Sequence, residues 1–321
     1  MLTESQFKPA WWAKNRHVQT IWGALFRLVP KKPSMRRIRL DLADGDFIDV
    51  DFYAIANAPT VLLLHGLEGS VDSHYMRGIV NSLIGQGKQV AVMHFRGCSG
   101  ESNRLLRSYH SGVSDDLQNV LLLLENESIT VDYLVGFSLG GNVLLKWLGE
   151  NHPNNQVKAA VAVSVPLLLD ECATAIDEGF SRLYSGRLLK TLKIKALYKK
   201  MEYQDAIALS PEEIKRLNNF WAFDDQITAP LHGFGSAEEY YQKASSQPFL
   251  KSIKIPTLVI HAKDDPFMNT NVIPREEHLS DKVDFELAEY GGHVGFVGGN
   301  WPWRAEYYLE KRIPQFLAQF E

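Results

Sequence analysis

Residues 133–142 read YLVGFSLGGN. An apolar, β-prone run reaches Phe137, Ser138 interrupts it, and Gly136 and Gly140 flank the serine two positions away on either side. The following "LGGNVLLKWLGEN" has helical spacing. The stretch therefore predicts a strand that turns sharply into a helix at Ser138. Small residues on both sides let strand and helix approach closely, while the serine must take a strained backbone conformation. That strain would hold Oγ up at the carboxyl edge of a sheet, where open α/β sheets bind ligands. The helix that follows would turn its positive end toward the serine. By chance, G-x-S-x-G arises in about one chain in ten of this length. Its place between a buried strand and a helix is what carries weight; the plain alternative is a tight turn bearing a surface serine.

The same two rhythms continue on both sides. "TVLLLHG", "QVAVMHFRG", "VDYLVG" and "VKAAVAVSV" are short, almost wholly apolar runs. "SHYMRGIVNSLIGQG" and "VSDDLQNVLLLLENES" have helical spacing between them. This alternation predicts a mostly parallel central sheet with helices on both faces. Upstream, "RRIRLDLADGDFIDVDFY" alternates around Asp44-Gly45 and reads as an antiparallel hairpin at a sheet edge. From residue 166 to 249 the strand rhythm stops, and a helical cap insertion is expected. Two capping boxes punctuate it: Ser210 with Glu213, where Pro211 opens the helix, and Ser236 with Glu239. "IPTLVIHAKDDPF" and "DKVDFELAEYGGH" then restore strands, and "PWRAEYYLEKRIPQFLAQF" reads as a closing helix. The expected organisation is one domain over 1–321 interrupted by that insertion.

A serine hydroxyl is a weak nucleophile until a base removes its proton, and an acid must orient that base. Two late strand ends supply the types. "ELAEYGGHVGF" delivers His293 on a loop that Gly291 and Gly292 allow to fold over the sheet edge. "LVIHAKDDPF" delivers Asp264 and Asp265. Pro266 pushes the residue before it into extended geometry, which favours Asp265 as the orienting acid and leaves Asp264 to cap the loop. His232 and His261 are the competing histidines; His261 is expected to pack in the core or at the strand end, and His232 could line a pocket. A tetrahedral intermediate also needs backbone donors for its oxygen. Those expected are the N–H of Leu139 and that of Leu67, in "LLLHGLEGS", where Gly66 lets the backbone turn. His65 is either part of this device or an ordinary turn residue.

The chain has 321 residues, 45% hydrophobic and 22% charged, as in soluble globular proteins. Its two cysteines, Cys98 and Cys172, form no C-x-x-C pair, which suits a reducing, cytoplasmic setting; nothing adjacent marks Cys98 as a nucleophile. No run of about 18 uncharged apolar residues predicts a membrane span, and the N-terminus lacks the apolar core of a secretory signal. Residues 1–40 hold nine Lys/Arg and one acid, Glu4, a balance of +8; the chain as a whole is −4, so the remainder is −12. A basic amphipathic arm over 1–34 that wraps the acidic body is one reading. Peripheral contact with an anionic lipid surface through Trp11, Trp12, Ile21, Trp22, Leu25 and Phe26 is the other. No nucleic-acid motif is present, and the acidic body argues against a phosphate-tracking groove.

"LLLHGLEGS", "HFRGCSGE", "GFSLGGN", "AKDDPF" and "GGHVGF" together resemble the α/β-hydrolases. "HVQTIWG" and "APLHGF" narrow the resemblance to the YheT-like esterases of the AB hydrolase 4 family, over nearly the whole chain. The resemblance implies the α/β-hydrolase fold, with Ser138 as nucleophile, Asp265 as acid and His293 as base. It implies a small-molecule ester substrate and neither metal nor cofactor. The expected activity is carboxylic-ester hydrolysis, on short- to medium-chain acyl or lipid-like esters. A thioesterase, phospholipase or acyltransferase would use the same three groups. A non-catalytic binding protein on this fold is a third, different class.

Overall fold

The computed structural model describes residues 1–150 and 156–321. The strands are β1 (Leu2–Glu4), β2 (Arg36–Asp41), β3 (Phe47–Tyr53), β4 (Thr60–Leu64), β5 (Gln89–Met93), β6 (Tyr133–Phe137), β7 (Ala159–Val163), β8 (Thr257–Ala262) and β9 (Val283–Ala288). They form one nine-stranded sheet in the order β1-β9-β8-β7-β6-β4-β5-β3-β2. All neighbours are parallel except β2 with β3 and β3 with β5. The β2–β3 hairpin therefore closes one edge, as its alternation predicts, and Asp44 Oδ1 accepts the Asp46 N–H at 3.1 Å in the turn.

Helices cover both faces. They are α1 (Arg16–Phe26), α2 (His74–Gly85), α3 (Ser114–Asn126), α4 (Leu139–Gly149), α5 (Leu169–Ala175), α6 (Arg182–Glu202), α7 (Pro211–Arg216), α8 (Phe220–Phe223), α9 (Ala229–Leu231), α10 (Ala237–Ala244) and α11 (Leu309–Leu317). Alternate residues of each strand project to opposite faces, so continuous apolar runs feed two cores. Leu62, Leu64, Leu134, Ala160 and Ala162 pack with α3 and α4. Val61, Leu63, Val90, Val135 and Val161 pack with α2 and α11. The last residue of the stretch read as the α4 helix, Asn151, lies outside the described residues.

Between β7 and β8 the chain runs through α5 to α10, which share an apolar cluster of their own. Five residues, Asp224–Thr228, form a π-helical turn between α8 and α9. Ser210 and Glu213 form a reciprocal capping box. Ser236 accepts from Glu239 N–H, but the Glu239 carboxylate takes the N–H of Gly235 at 2.6 Å rather than that of the capping serine. The C-terminal stretch is less regular than the helix read from it. Residues 302–304 form a short 3-10 turn, Glu306–Tyr307 (β11) pairs with Val297–Gly298 (β10), and α11 begins only at Leu309.

The N-terminal arm is built into the body. β1 adds a parallel strand to β9, and the Gln19 side chain is fully buried. Arg27 pairs with Glu310 at 2.5 Å, and Lys32 lies 3.7 Å from Asp51. Trp11, Leu25, Phe26 and Leu28 remain exposed on its outer side.

The close approach of β4, β6 and α4 is the geometry on which the serine corner rests. A Cβ on Gly140 would lie 2.5 Å from the His65 carbonyl oxygen and 2.6 Å from that of Leu64. Gly140→Ala is expected to destabilise the protein by about 2 kcal/mol, read as a lower urea midpoint. Gly85→Ala, whose added methyl meets no atom within 4 Å, is expected to leave the midpoint equal or higher. A Gly140→Ala protein as stable as the parent would contradict this packing.

Candidate active site

Ser138 sits between β6 and α4 with φ 51° and ψ −121°, in a region that side-chain-bearing residues rarely adopt. Its own amide donates to the Val163 carbonyl at 2.8 Å, and its carbonyl accepts from Asn142 N–H at 3.0 Å. These two bonds pin the residue between β7 and the first turn of α4. Gly136 makes room for the turn, because a Cβ there would lie 2.5 Å from the Gly140 oxygen. Asn142, the last residue of the opening stretch, is fully buried. Its Nδ2 donates to the carbonyls of Ser111 and Ala244, both at 2.7 Å, and its Oδ1 accepts from Ser246 N–H at 3.0 Å. It fastens α4 to the loop before α3 and to the end of α10.

Three residues distant in sequence meet at this corner. His293 Nε2 lies 3.0 Å from Ser138 Oγ, and its Nδ1 lies 2.8 Å from Asp265 Oδ2. A carboxylate facing Nδ1 favours the proton on that nitrogen, which leaves Nε2 free to accept from the serine hydroxyl. Asp265 is 1% exposed, and its other oxygen accepts the Phe267 N–H at 2.9 Å. Asp264 faces elsewhere. Its Oδ1 accepts the Gly292 N–H at 2.9 Å, so it caps the histidine loop, and burial pushes its carboxyl above the usual aspartate range. The ring of Phe267 stacks on the His293 imidazole with centroids 3.9 Å apart and 9° between planes.

The histidine loop is held from outside by α1. His293 N–H donates to Thr20 Oγ1 at 3.0 Å, and Val294 N–H donates to Ser164 Oγ at 3.0 Å. Gln19 donates to the carbonyls of Ala13 and Val297 and accepts from Val297 N–H at 2.6 Å. Gly292 has φ 57°, and a Cβ there would lie 2.6 Å from the Arg16 carbonyl oxygen. The loop can therefore seat on α1 only with glycine at that position. The bonds that reach the histidine loop were not read from the sequence, because each joins residues more than a hundred positions apart.

The loop after β4 faces the serine from the other side. Gly66 lies so close that a Cβ on it would stand 3.2 Å from Ser138 Cβ. His65 is fully buried. Its Nδ1 bonds the Gly66 carbonyl at 2.7 Å, and its Nε2 accepts the Phe95 N–H at 3.2 Å, which fixes the neutral tautomer. Burial lowers its pKa to about 3, so the ring stays uncharged. Tyr75 Oη accepts the Gly66 N–H at 2.9 Å. Among the described residues none accepts from Leu67 N–H, and Leu139, as the first residue of α4, has no intrahelical acceptor for its own. Leu139 directly follows the serine, and Leu67 lines the same cavity as Ser138.

Of the remaining candidates, His261 is buried in β8 and His232 packs edge-on to His110 in the wall of the cavity. Cys98 is a free thiol that burial pushes up to about 11, and Cys172 is free and buried. The cavity above Ser138 and His293 holds about 220 Å³. Residues of the helices between β7 and β8, among them Leu169, Ile176, Phe220, Phe223 and Ile227, form its apolar wall. No helix among the described residues is long and apolar enough to cross a membrane.

This site on this sheet defines a class. Residues 59–299 match the family model described as the alpha/beta hydrolase fold, and the chain belongs to that family. Over 323 residues it is 41% identical to "Putative esterase YheT" of Escherichia coli (strain K12), covering 99% of this chain and 94% of that one. It is 27% identical to human Phospholipase ABHD3, covering 99% of this chain and 79% of that protein. Among solved structures, an esterase of Pyrococcus furiosus, Pf2001, superposes with a TM-score of 0.59 at 18% identity, covering 92% of this chain and 96% of that one; this likeness speaks to the fold alone.

Proposed function

We propose that this α/β-hydrolase is a serine carboxylic-ester hydrolase in which Ser138, His293 and Asp265 act as a triad. The observation that carries the reading is the unbroken hydrogen-bond chain from Asp265 through His293 to Ser138, set at the amino end of α4. His293 Nε2 takes the Ser138 proton as Oγ attacks the ester carbonyl. The carbonyl oxygen becomes an oxyanion, held by the amides of Leu67 and Leu139 and favoured by the positive end of α4. The imidazolium, stabilised by Asp265, returns its proton to the leaving alkoxide and an acyl-enzyme remains. Water, deprotonated by His293, then attacks the acyl carbonyl and frees the acid and Oγ.

We propose short- to medium-chain acyl or lipid-like esters as substrates, with the helices of 166–249 acting as a cap over the acyl group. The apolar wall and the cavity volume support this. So do the names of relatives, among them a monoacylglycerol lipase of Saccharomyces cerevisiae that is 29% identical over 74% of this chain and 55% of its own length. A p-nitrophenyl ester series of rising acyl length tests the range. On its best ester, Ser138→Ala and His293→Ala are each expected to lower kcat by at least about 10⁴-fold. Asp265→Asn is expected to cost about 10⁴-fold and Asp264→Asn less than about tenfold. Unchanged turnover in Ser138→Ala would overturn the triad, and binding without turnover of any ester would favour a non-catalytic role.

We also propose that the outer side of the arm touches anionic lipid. Trp11, Leu25, Phe26 and Leu28 are exposed there, and Lys14, Arg16 and Lys31 make no ion pair among the described residues. Deleting the arm would strip support from His293, so point changes are the cleaner probe. With Trp11, Leu25, Phe26 and Leu28 all changed to Ser, pelleting with phosphatidylserine vesicles is expected to fall several-fold while ester turnover holds. Equal pelleting would dismiss the contact.

A further inference from the structure

The triad leaves unused a charged cluster on the far wall of the cavity. Lys195 lies on α6, and its ammonium reaches the loop after β4. Nζ stands 2.7 Å from Glu68 Oε1 and 3.4 Å from Cys98 Sγ. Glu68 immediately follows Leu67. It is one of the few non-glycine residues with left-handed backbone, at φ 55°. Tyr109 holds it there from two sides: its hydroxyl accepts the Glu68 N–H at 2.9 Å and donates to Oε1 at 2.7 Å. One turn further along α6, Lys199 Nζ donates to the Asn103 carbonyl at 2.6 Å, and Asn103 Nδ2 donates to Asp46 Oδ2 at 2.7 Å. The helix is thus moored to the body by two ammonium groups in succession.

The chemistry is unusual for a mere tether. The Glu68 side chain is 6% exposed and that of Lys195 33%. Taking the Glu68 carboxylate out of water carries a desolvation cost that its attraction to Lys195 must first offset. Apolar residues of the same volume would fasten α6 to the core at least as well. A left-handed backbone at a non-glycine residue is strained, and such strain persists only where surrounding contacts over-determine it. What the pair supplies beyond adhesion is direction. The carboxylate is tied to the adjacent backbone through Tyr109, and the orientation of the Leu67 amide follows from the torsions on either side of it. Burial opposes the charge on Lys195, but Cys98 and Glu68 beside it outweigh that and raise its pKa, so the ammonium is present throughout the neutral range.

We propose that the Lys195–Glu68 pair is a positioning device that couples the seating of α6 over the cavity to the aim of the Leu67 amide at the developing oxyanion. The donor is then aligned only while the helix is closed on the core. The proposal rests on the role given to Ser138 and Leu67 under Proposed function. Lys195 and Glu68 are positioning residues; neither touches the reacting atoms.

The test uses the full-length protein with Lys195→Met, Lys195→Arg, Glu68→Gln and the Lys195→Met/Glu68→Gln pair. Kinetics on p-nitrophenyl butyrate are read beside inhibition by 1,1,1-trifluoro-2-octanone, which forms an oxyanion on the serine, and by 2-octanone, which mimics only the ground state. Loss of one oxyanion donor costs about 10²–10³ in kcat, so misaiming it is expected to cost about 10–100-fold. Lys195→Met and Glu68→Gln should each show that loss in kcat, with KM within twofold. The trifluoroketone should weaken by the same factor and the methyl ketone hardly at all. Lys195→Arg should restore most of the rate, and the double variant should be no worse than either single one. A rise in KM with kcat intact would instead make Lys195 a substrate-binding group and overturn the proposal. Wild-type rates in both single variants, or losses that multiply in the double variant, would overturn it too. Should Lys195→Met fail to fold, the isosteric Glu68→Gln decides alone by the same kcat and trifluoroketone readings. Wild-type kinetics in these variants, with Ser138→Ala inactive, would sink the device and spare the triad; an active Ser138→Ala would sink the triad itself.

Discussion

The backbone of Ser138 is the constraint from which the rest follows. A residue at φ 51° and ψ −121° costs about 1–3 kcal/mol and cannot hold that geometry unaided. The surrounding structure supplies the support: β6 buried between β4 and β7, the Val163 carbonyl on the serine amide, and glycines that bring α4 against β4. In return the hydroxyl stands clear of the sheet at the amino end of a helix. There the His293 imidazole bonds it, and the loop after β4 lies close by at Gly66. Relaxing the torsion would turn Oγ away from both.

Two outlying elements finish the site. On the imidazole side, α1 presents Thr20 to the His293 amide and Gln19 to Val297, so the N-terminal arm supports the loop after β9. On the amide side, α6 presents Lys195 to Glu68, next to Leu67. The sheet sets where Ser138, His293 and Asp265 meet, while α1 bonds the loop that carries His293 and α6 the loop that carries Leu67. The division explains why an arm and an insertion so unlike the sheet in composition still lie against its carboxyl edge.

Legibility in the sequence followed the range of the interactions. Continuous apolar runs announced parallel strands, because each face of the sheet has its own core. The G-x-S-x-G stretch announced the corner, because its steric demand is local. Asp265 could be told from Asp264 by the proline after it, and Asp265 is the one that meets the imidazole. β1 was not legible, since a three-residue strand has no period to read and is defined by pairing with residues 283 positions later. The closing stretch was overread as helix because its residues suit one, while pairing with Val297 and Gly298 draws Glu306 and Tyr307 into a strand. Lys195 lies in no motif, and Phe267 and Thr20 fall inside "AKDDPF" and "HVQTIWG", which do not show what their side chains touch; those contacts form only after the chain has folded.

The most direct test is a crystal structure of the protein after reaction with a small dialkyl fluorophosphate. The result expected is a covalent phosphorus–Oγ bond at Ser138. Its phosphoryl oxygen should lie within about 3 Å of both the Leu67 and Leu139 nitrogens, with the His293–Asp265 bond retained. An adduct on another residue, or a phosphoryl oxygen turned away from those two amides, would contradict the assignment of this corner as the seat of catalysis.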